Sequence, residues 1–277
     1  MKVRFIVLFI LFCFLFYGCS QEKFDFPYTA RFEDSVRIQT DVSQKFADKA
    51  VERFDEVYDA YSKLIPFPSK RKRTFVISVF RQREDFLSYQ KLIGPTESQV
   101  GFYIPDRGEL VLLYTGEGET LRTLFHESFH AYFEDRIIHP PAWLNEGLAQ
   151  YAETLNFSIM GKIKFGKVTN ASTKWNKTLS RMYESESIPH IKDIVERDWP
   201  DKHSLTNEQY ALSLSMVNFL KSQEEETFNN YLGSLYDREN PRSAFFKIWP
   251  DVDELDEQWK KFIKKELRKG SLLRLLP

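Results

Sequence analysis

The sequence predicts an α+β fold: an N-terminal mixed α/β part with a small sheet, followed by a mostly helical part. Three observations carry this reading. Runs rich in β-branched and aromatic residues, such as Thr74 to Phe80, all lie before Gly118. Beyond that point apolar residues recur at intervals of three and four, the period of a helix with one buried face. The chain has 277 residues, 42% of them hydrophobic, enough for a sizeable core in one large domain or two small ones.

In chain order, Ser35 to Thr40 alternates apolar and polar residues and reads as a short strand. Asp41 or Ser43 can cap a helix reaching to about Leu64, with Phe46, Ala50, Phe54, Val57 and Tyr61 on one face. Pro66 and Pro68 end it. Thr74 to Phe80 reads as a buried strand and Glu84 to Leu92 as a short helix broken by Gly94-Pro95. Val100 to Ile104 and Glu109 to Tyr114 flank Pro105-Asp106-Arg107-Gly108, turn chemistry that predicts a β-hairpin. Helices are then expected at Glu119 to about Ile137, and from Ala142 to about Leu155 after Pro140-Pro141. Further helices fall at 174–184, 206–221, 224–236, 241–248 and 252–269, with a hairpin or loop at Gly161 to Val168.

The N-terminus has the pattern of an export signal. Lys2 and Arg4 precede an uncharged apolar run from Phe5 to Tyr17, short for a membrane span but suited to a signal peptide. The run ends at Phe16-Tyr17-Gly18-Cys19-Ser20, which resembles a bacterial lipoprotein cleavage site. That resemblance implies cleavage before Cys19, lipidation of its sulfur and anchoring to a membrane of the cell envelope. The expected organisation is a signal peptide at 1–18 and a lipid-anchored tether at 19–34. The N-terminal α+β part follows at 35–118, a helical metal-binding part at 119–222 and a C-terminal helical region at 223–277. The two cysteines, Cys13 and Cys19, both lie in the leader, so no disulfide framework and no catalytic thiol is expected. A formal net charge of -1 gives no global field favouring nucleic acid. The basic run Ser69-Lys70-Arg71-Lys72-Arg73 reads as a solvated loop.

His126-Glu127-Ser128-Phe129-His130 is the sharpest chemical signal. On a helix, residues four apart point in nearly the same direction, so both imidazoles can reach one metal ion. Neutral imidazole suits Zn²⁺, and two histidines with one carboxylate leave the fourth position open for water. Glu127 lies about 100° round the helix from His126 and can approach that water as a general base. In H-E-x-x-H-x-x-G-x-x-H sites a third His completes the set, but Phe133 and Arg136 stand where the Gly and His would be. The remaining source of a third ligand is Glu146, on the helix that the Pro140-Pro141 break allows to fold back. Leu144, Leu148 and Tyr151 would then face the core. Asn145, Gln150 and Glu153 are candidates to support the ligands.

His126 to His130 followed by Trp143-Leu144-Asn145-Glu146-Gly147-Leu148-Ala149 resembles the gluzincin metallopeptidases, especially the aminopeptidase-N type. With the Phe102-Tyr103-Ile104-Pro105 hairpin and the leader, the chain is more similar still to bacterial lipoproteins with a peptidase MA-like domain. The likeness covers about residues 35–222. It implies a zincin-like fold, one Zn²⁺ held by His126, His130 and Glu146, and Glu127 as general base. It also implies an oxyanion-donating Tyr, for which Tyr210 is the candidate, with His190 and His203 as alternatives. The spacing from His130 to Glu146 is shorter than in aminopeptidase N, and the Gly-x-Met-Glu-Asn motif that holds a free amine is absent. The expected activity is therefore an envelope zinc endopeptidase acting on a peptide or protein, with Glu109 to Tyr114 offering an edge for an extended substrate. Two other readings share the site: a zinc amide hydrolase acting on cell-wall peptide, and an inactive surface binding protein stabilised by zinc.

Overall fold

The computed structural model describes residues 24–32, 36–69, 74–93, 98–157, 163–165, 175–197, 199 and 205–273. The leader with Cys19, residues 70–73 of the basic run and His203 lie outside the described residues. The fold is α+β: a small mixed sheet in the N-terminal part and a mostly helical remainder.

Strand β1 (Tyr28–Phe32) pairs antiparallel with β2 (Val36–Thr40). β1 falls within the segment expected as a tether at 19–34, so the chain begins its sheet there. β2 leads into α1 (Gln44–Leu64), capped by the Ser43 side chain, which accepts from the Phe46 N–H at 3.1 Å. Phe46, Ala50, Phe54, Val57 and Tyr61 are all buried, as their spacing requires. The helix closes at Ile65, just before Pro66.

β3 (Phe75–Phe80) then pairs parallel with β2. After α2 (Arg83–Ile93), β4 (Gly101–Ile104) and β5 (Glu109–Leu113) form the expected hairpin. Its turn is the 3-10 segment Pro105–Arg107, closed by Gly108 at φ 59, a left-handed conformation that favours glycine. The strand order is β1-β2-β3-β5-β4. β5 is therefore interior, between β3 and β4, and the expectation that Glu109 to Tyr114 offers a free edge is corrected. β4 is the edge on that side and β1 on the other, because β5 spends its other side on a parallel pairing with β3 that no local turn signals.

Alternation along the strands sends side chains into two cores. Ile77, Val79, Leu110 and Leu112 join α1 and the next helix in the main core. Phe80, Phe102, Val111 and Leu113 face the other way, with Phe86 of α2 and the partly buried Phe24 and Phe26.

The helical part begins with α3 (Glu117–Glu134), packed on α1, β4 and β5. A reversal through His139, at φ 53, and Pro140-Pro141 returns the chain as α4 (Ala142–Ala152), which packs against α3. α4 stops three residues before the expected Leu155, which instead opens β6 (Leu155–Phe157), paired with β7 (Ile163–Phe165). Then follow α5 (Asn176–Glu184), α6 (Ile191–Glu196), α7 (Asn207–Gln223), α8 (Glu225–Tyr236), α9 (Pro241–Ile248) and α10 (Val252–Leu273). α6 is too short to show a helical period and was not anticipated. α7 starts with a capping box between Thr206 and Gln209. No helix among the described residues is long and apolar enough to cross a membrane.

α4 packs closely on α7, and Gly147 is the reason it can. A Cβ at Gly147 would lie 2.5 Å from the Ser213 carbonyl oxygen and 2.6 Å from Val217 Cγ2. In an open helix Gly→Ala stabilises by about 0.5–1 kcal/mol. Here overpacking against backbone reverses the sign, and Gly147→Ala is expected to lower the unfolding free energy by about 1–3 kcal/mol in urea titrations. A more stable variant would show that the helices are not in contact at this point.

Candidate metal centre

The centre is built by α3 and α4. The sequence-predicted His126 and His130 sit one turn apart on α3, their ring centroids 4.8 Å apart. Glu146 comes from α4 and reaches both: Oε2 lies 3.4 Å from His126 Nε2 and Oε1 lies 3.4 Å from His130 Nε2. The three residues form a group able to hold a metal ion, with one ligand atom from each and all three atoms within 4.8 Å of one another. Glu146 and His130 are almost wholly buried, at 2% and 1% exposure, whereas His126 keeps a partial opening to solvent.

The far side of each imidazole is held in place. His130 donates from Nδ1 to Asn145 Oδ1 at 2.9 Å, and Asn145 Nδ2 in turn donates to Glu134 Oε1 at 3.1 Å. His126 donates from Nδ1 to Glu153 Oε1 at 2.7 Å. These bonds fix each ring's rotation and tautomer, a support that metal-ligating histidines generally need. Gln150 holds the backbone, donating to the Glu146 carbonyl at 3.3 Å and to the Tyr210 carbonyl at 3.1 Å. The sequence named Asn145, Gln150 and Glu153 as candidates for support; it could not say which partner each would take.

These contacts test whether a cation fits. With Nδ1 of His130 acting as the donor, a neutral ring, the form that binds metal, would present an Nε2 lone pair to a carboxylate oxygen. Two acceptors facing each other in a buried space are unfavourable unless a cation lies between them. Glu146 Oε2 is buried with His126 Nε2, at 3.4 Å, as its one neighbouring donor among the described residues, and an imidazole bound to a metal through Nε2 could not donate there. A metal ion shared by the two Nε2 atoms and the carboxylate satisfies all three, and two imidazoles with one carboxylate are a donor set suited to divalent ions.

Glu127 follows His126 on α3 and is buried at 6% exposure. Tyr210, on α7, completes the surroundings. Burial raises its phenol well above the ordinary range, and the charges of Glu146, Glu127 and Glu153 push it the same way. The ring is stacked on Trp175, with centroids 5.3 Å apart and planes within 5°. Trp175 escaped the sequence reading because a Trp at a helix start carries no motif.

The other histidines differ. His190 is exposed and pairs with Asp256 of α10 at 3.0 Å, outside the metal-binding group. His203 lies outside the described residues.

Residues 120–241 match the protein family described as a protein of unknown function, DUF1570. No curated protein matches the chain. The matched segment holds His126, Glu127, His130, Glu146 and Tyr210, and it begins within α3, after the sheet. The matched segment thus includes α4 and most of α3, the two helices that bring the three candidate ligands together.

Burial lowers the pKa of His126, but hydrogen bonds to Glu146 and Glu153 and the charges of both carboxylates outweigh it and push the value up to about 10. Without metal, His126 is therefore charged at neutral pH, and a metal ion must displace that proton. The raised value stabilises the metal-free fold fully below the free-imidazole pKa of about 6.5, and that stabilisation is lost as pH rises through about 10. Two outcomes follow. Metal affinity, measured by competition with a chromophoric chelator, should fall about tenfold per pH unit on going down from pH 9 to pH 7. Asn145→Ala and Glu153→Ala should each weaken it by about 10–100-fold. Affinities independent of pH and of both variants would contradict this geometry.

Proposed function

We propose that the protein is a zinc-dependent hydrolase and, within that class, a peptidase of the gluzincin kind anchored in a bacterial cell envelope. The observation that carries the reading is Glu127: a buried carboxylate beside His126, next to three residues able to hold a metal. A purely structural metal site needs no such base. The Asn145-Glu146-Gly147 motif supports the gluzincin assignment, and the lipoprotein-like leader supports the location.

Zinc, when bound by His126, His130 and Glu146, supplies a Lewis acid that acidifies water and polarises a carbonyl. Glu127 accepts the proton of the attacking water and passes it to the departing amine. Tyr210, whose raised pKa keeps it protonated, donates a hydrogen bond to the oxyanion of the tetrahedral intermediate. Trp175 holds the Tyr210 ring from behind.

β4 supports a peptide substrate. It is an edge strand of the sheet and packs against α3. Gly101 makes that approach possible, since a Cβ there would lie 2.6 Å from Thr123 Cγ2, one turn before Glu127. An extended peptide added along such an edge runs past the metal helix. The absence of a Gly-x-Met-Glu-Asn amine-binding motif favours cleavage within a chain over removal of its first residue.

The test is a peptide library digested by the zinc-loaded protein and its Glu127→Gln variant. Wild type should cut internal bonds, and the variant should keep its zinc while losing about 10²–10⁴-fold in rate. Tyr210→Phe should keep zinc and lower kcat by about 10²–10³-fold. Zinc bound by wild type with no cleavage of any peptide would favour a zinc-stabilised binding protein instead.

A further inference from the structure

The sheet has two faces, and only one of them carries the metal helix. α3 packs on β4 and β5 and joins the main core with Ile77, Val79, Leu110 and Leu112. The opposite face is covered by α2 and by the first described residues of the chain. Phe24 meets Phe80 edge-on at 5.4 Å and Tyr89 at 5.3 Å, and Phe26 meets Phe80 at 5.0 Å. The chain therefore enters the fold on the α2 side of the sheet.

That entry point limits how the molecule can stand on a membrane. Five peptide links join Cys19 to Phe24. Fully extended, they reach about 18 Å. A domain of this length is about 45 Å across. A lipid on Cys19 thus brings the α2 side of the sheet to the bilayer and leaves too little chain for the far side of the molecule to reach it.

The surface there is suited to lipid. Three large hydrophobic side chains are exposed among the described residues: Leu92 at 61%, Val100 at 39% and Ile138 at 38%. Two of the three lie on the α2 side. Leu92 stands one turn along α2 from Tyr89, which touches Phe24. It also lies about 200° round the helix from the buried Gln90, so it points away from the sheet. Val100 follows Ser98 and Gln99, which are tied to α2: Gln90 donates to the Ser98 carbonyl at 2.9 Å, and Arg83 Nη2 donates to Gln99 Oε1 at 2.6 Å. Ile138 instead sits at the α3–α4 turn, beside Ile137 of the main core. Exposed charges round α2 are mixed, Arg81, Arg83 and Lys91 with Glu84 and Asp85, so contact there does not depend on anionic lipid. The contrasting surface is α10, where Lys261, Lys264, Lys265 and Arg268 share one face and are all exposed. α10 packs on α5, α6 and α7, in the helical half.

We infer that the anchored protein rests with α2 and the start of β4 against its own bilayer, Leu92 and Val100 entering the interface, and holds the metal centre on the far side of the sheet. The inference rests on the lipoprotein reading of Cys19 and is independent of the hydrolase reading.

Cys13 leaves with the leader and lipid occupies Cys19, so a cysteine introduced into the processed full chain is its one reactive thiol. Leu92→Cys, Val100→Cys, Ile138→Cys and Lys264→Cys are labelled with a polarity-sensitive fluorophore. Each is reconstituted into vesicles of phosphatidylethanolamine and phosphatidylglycerol, with and without nitroxide-bearing lipid. Labels at positions 92 and 100 should shift to the blue and be quenched about twofold or more, as for side chains within the headgroup boundary. Labels at positions 138 and 264 should keep water-like emission. Quenching at 92 and 100 should persist as salt is raised from about 0.1 to 0.5 M, because it does not arise from charge. Flotation of wild type with the vesicles reads the anchor separately. A wild-type chain that fails to float, or that takes up label at an unlipidated Cys19, would overturn the lipoprotein reading and this inference with it. Flotation with water-like labels at 92 and 100 would overturn the inference and leave the anchor standing. Quenching at 264 instead, lost at high salt, would overturn it in favour of the basic face of α10.

Discussion

Everything in the helical half is organised round one electrostatic problem: a buried carboxylate, Glu146, held 3.4 Å from the Nε2 atoms of two histidines. An ionised carboxylate withdrawn from water costs several kcal/mol unless it is compensated. Partial compensation comes from the proton on His126. The His130 side needs positive charge as well, and there Nδ1 is committed to Asn145. A divalent cation meets both needs at once. The outer bonds, from Asn145 and Glu134 on one side and Glu153 on the other, keep the rings aimed when that cation is absent.

The rest of the molecule makes this arrangement stable. The sheet and α1 supply a core on which α3 can lie without exposing Phe125, Phe129 and Phe133. Ser128, between the ligand histidines, turns to the other side of α3 and meets Tyr61 at 3.0 Å, pinning the helix to α1. Two glycines permit the close contacts that shape the cleft: Gly101 brings the sheet edge to α3, and Gly147 brings α7 to α4. The second lets α7 approach α4, and Gln150 ties the two helices by donating to the Glu146 and Tyr210 carbonyls. Site and packing thus meet in the Asn145-Glu146-Gly147 triplet, where one residue orients His130, one completes the group able to hold a metal and one lets the neighbouring helix approach.

Legibility in the sequence followed the range of the interactions. α1 was readable to its cap because Ser43 and Phe46 are near neighbours. The pair His126 and His130 was readable because helical geometry alone aligns them. Glu146 needed a reversal at Pro140-Pro141, which the sequence allows but does not specify in angle. The β3–β5 pairing could not be read, since parallel register is set by a crossover rather than by a turn. That single uncertainty misplaced the sheet edge from β4 to β5. β1 was missed because its partner β2, and not its own pattern, makes it a strand. Tyr210 was legible as a residue type at a suitable position, while its support by Trp175 depends on tertiary placement.

The metal centre underlies the hydrolase reading, since Glu127 has a base's role only beside an activated water. X-ray absorption at the metal edge of the zinc-loaded protein tests that centre most directly. The expected spectrum has about four nitrogen or oxygen neighbours at about 2.0–2.1 Å, with the outer-shell pattern of two imidazoles. A spectrum without imidazole scattering, or zinc that the protein fails to retain, would contradict it.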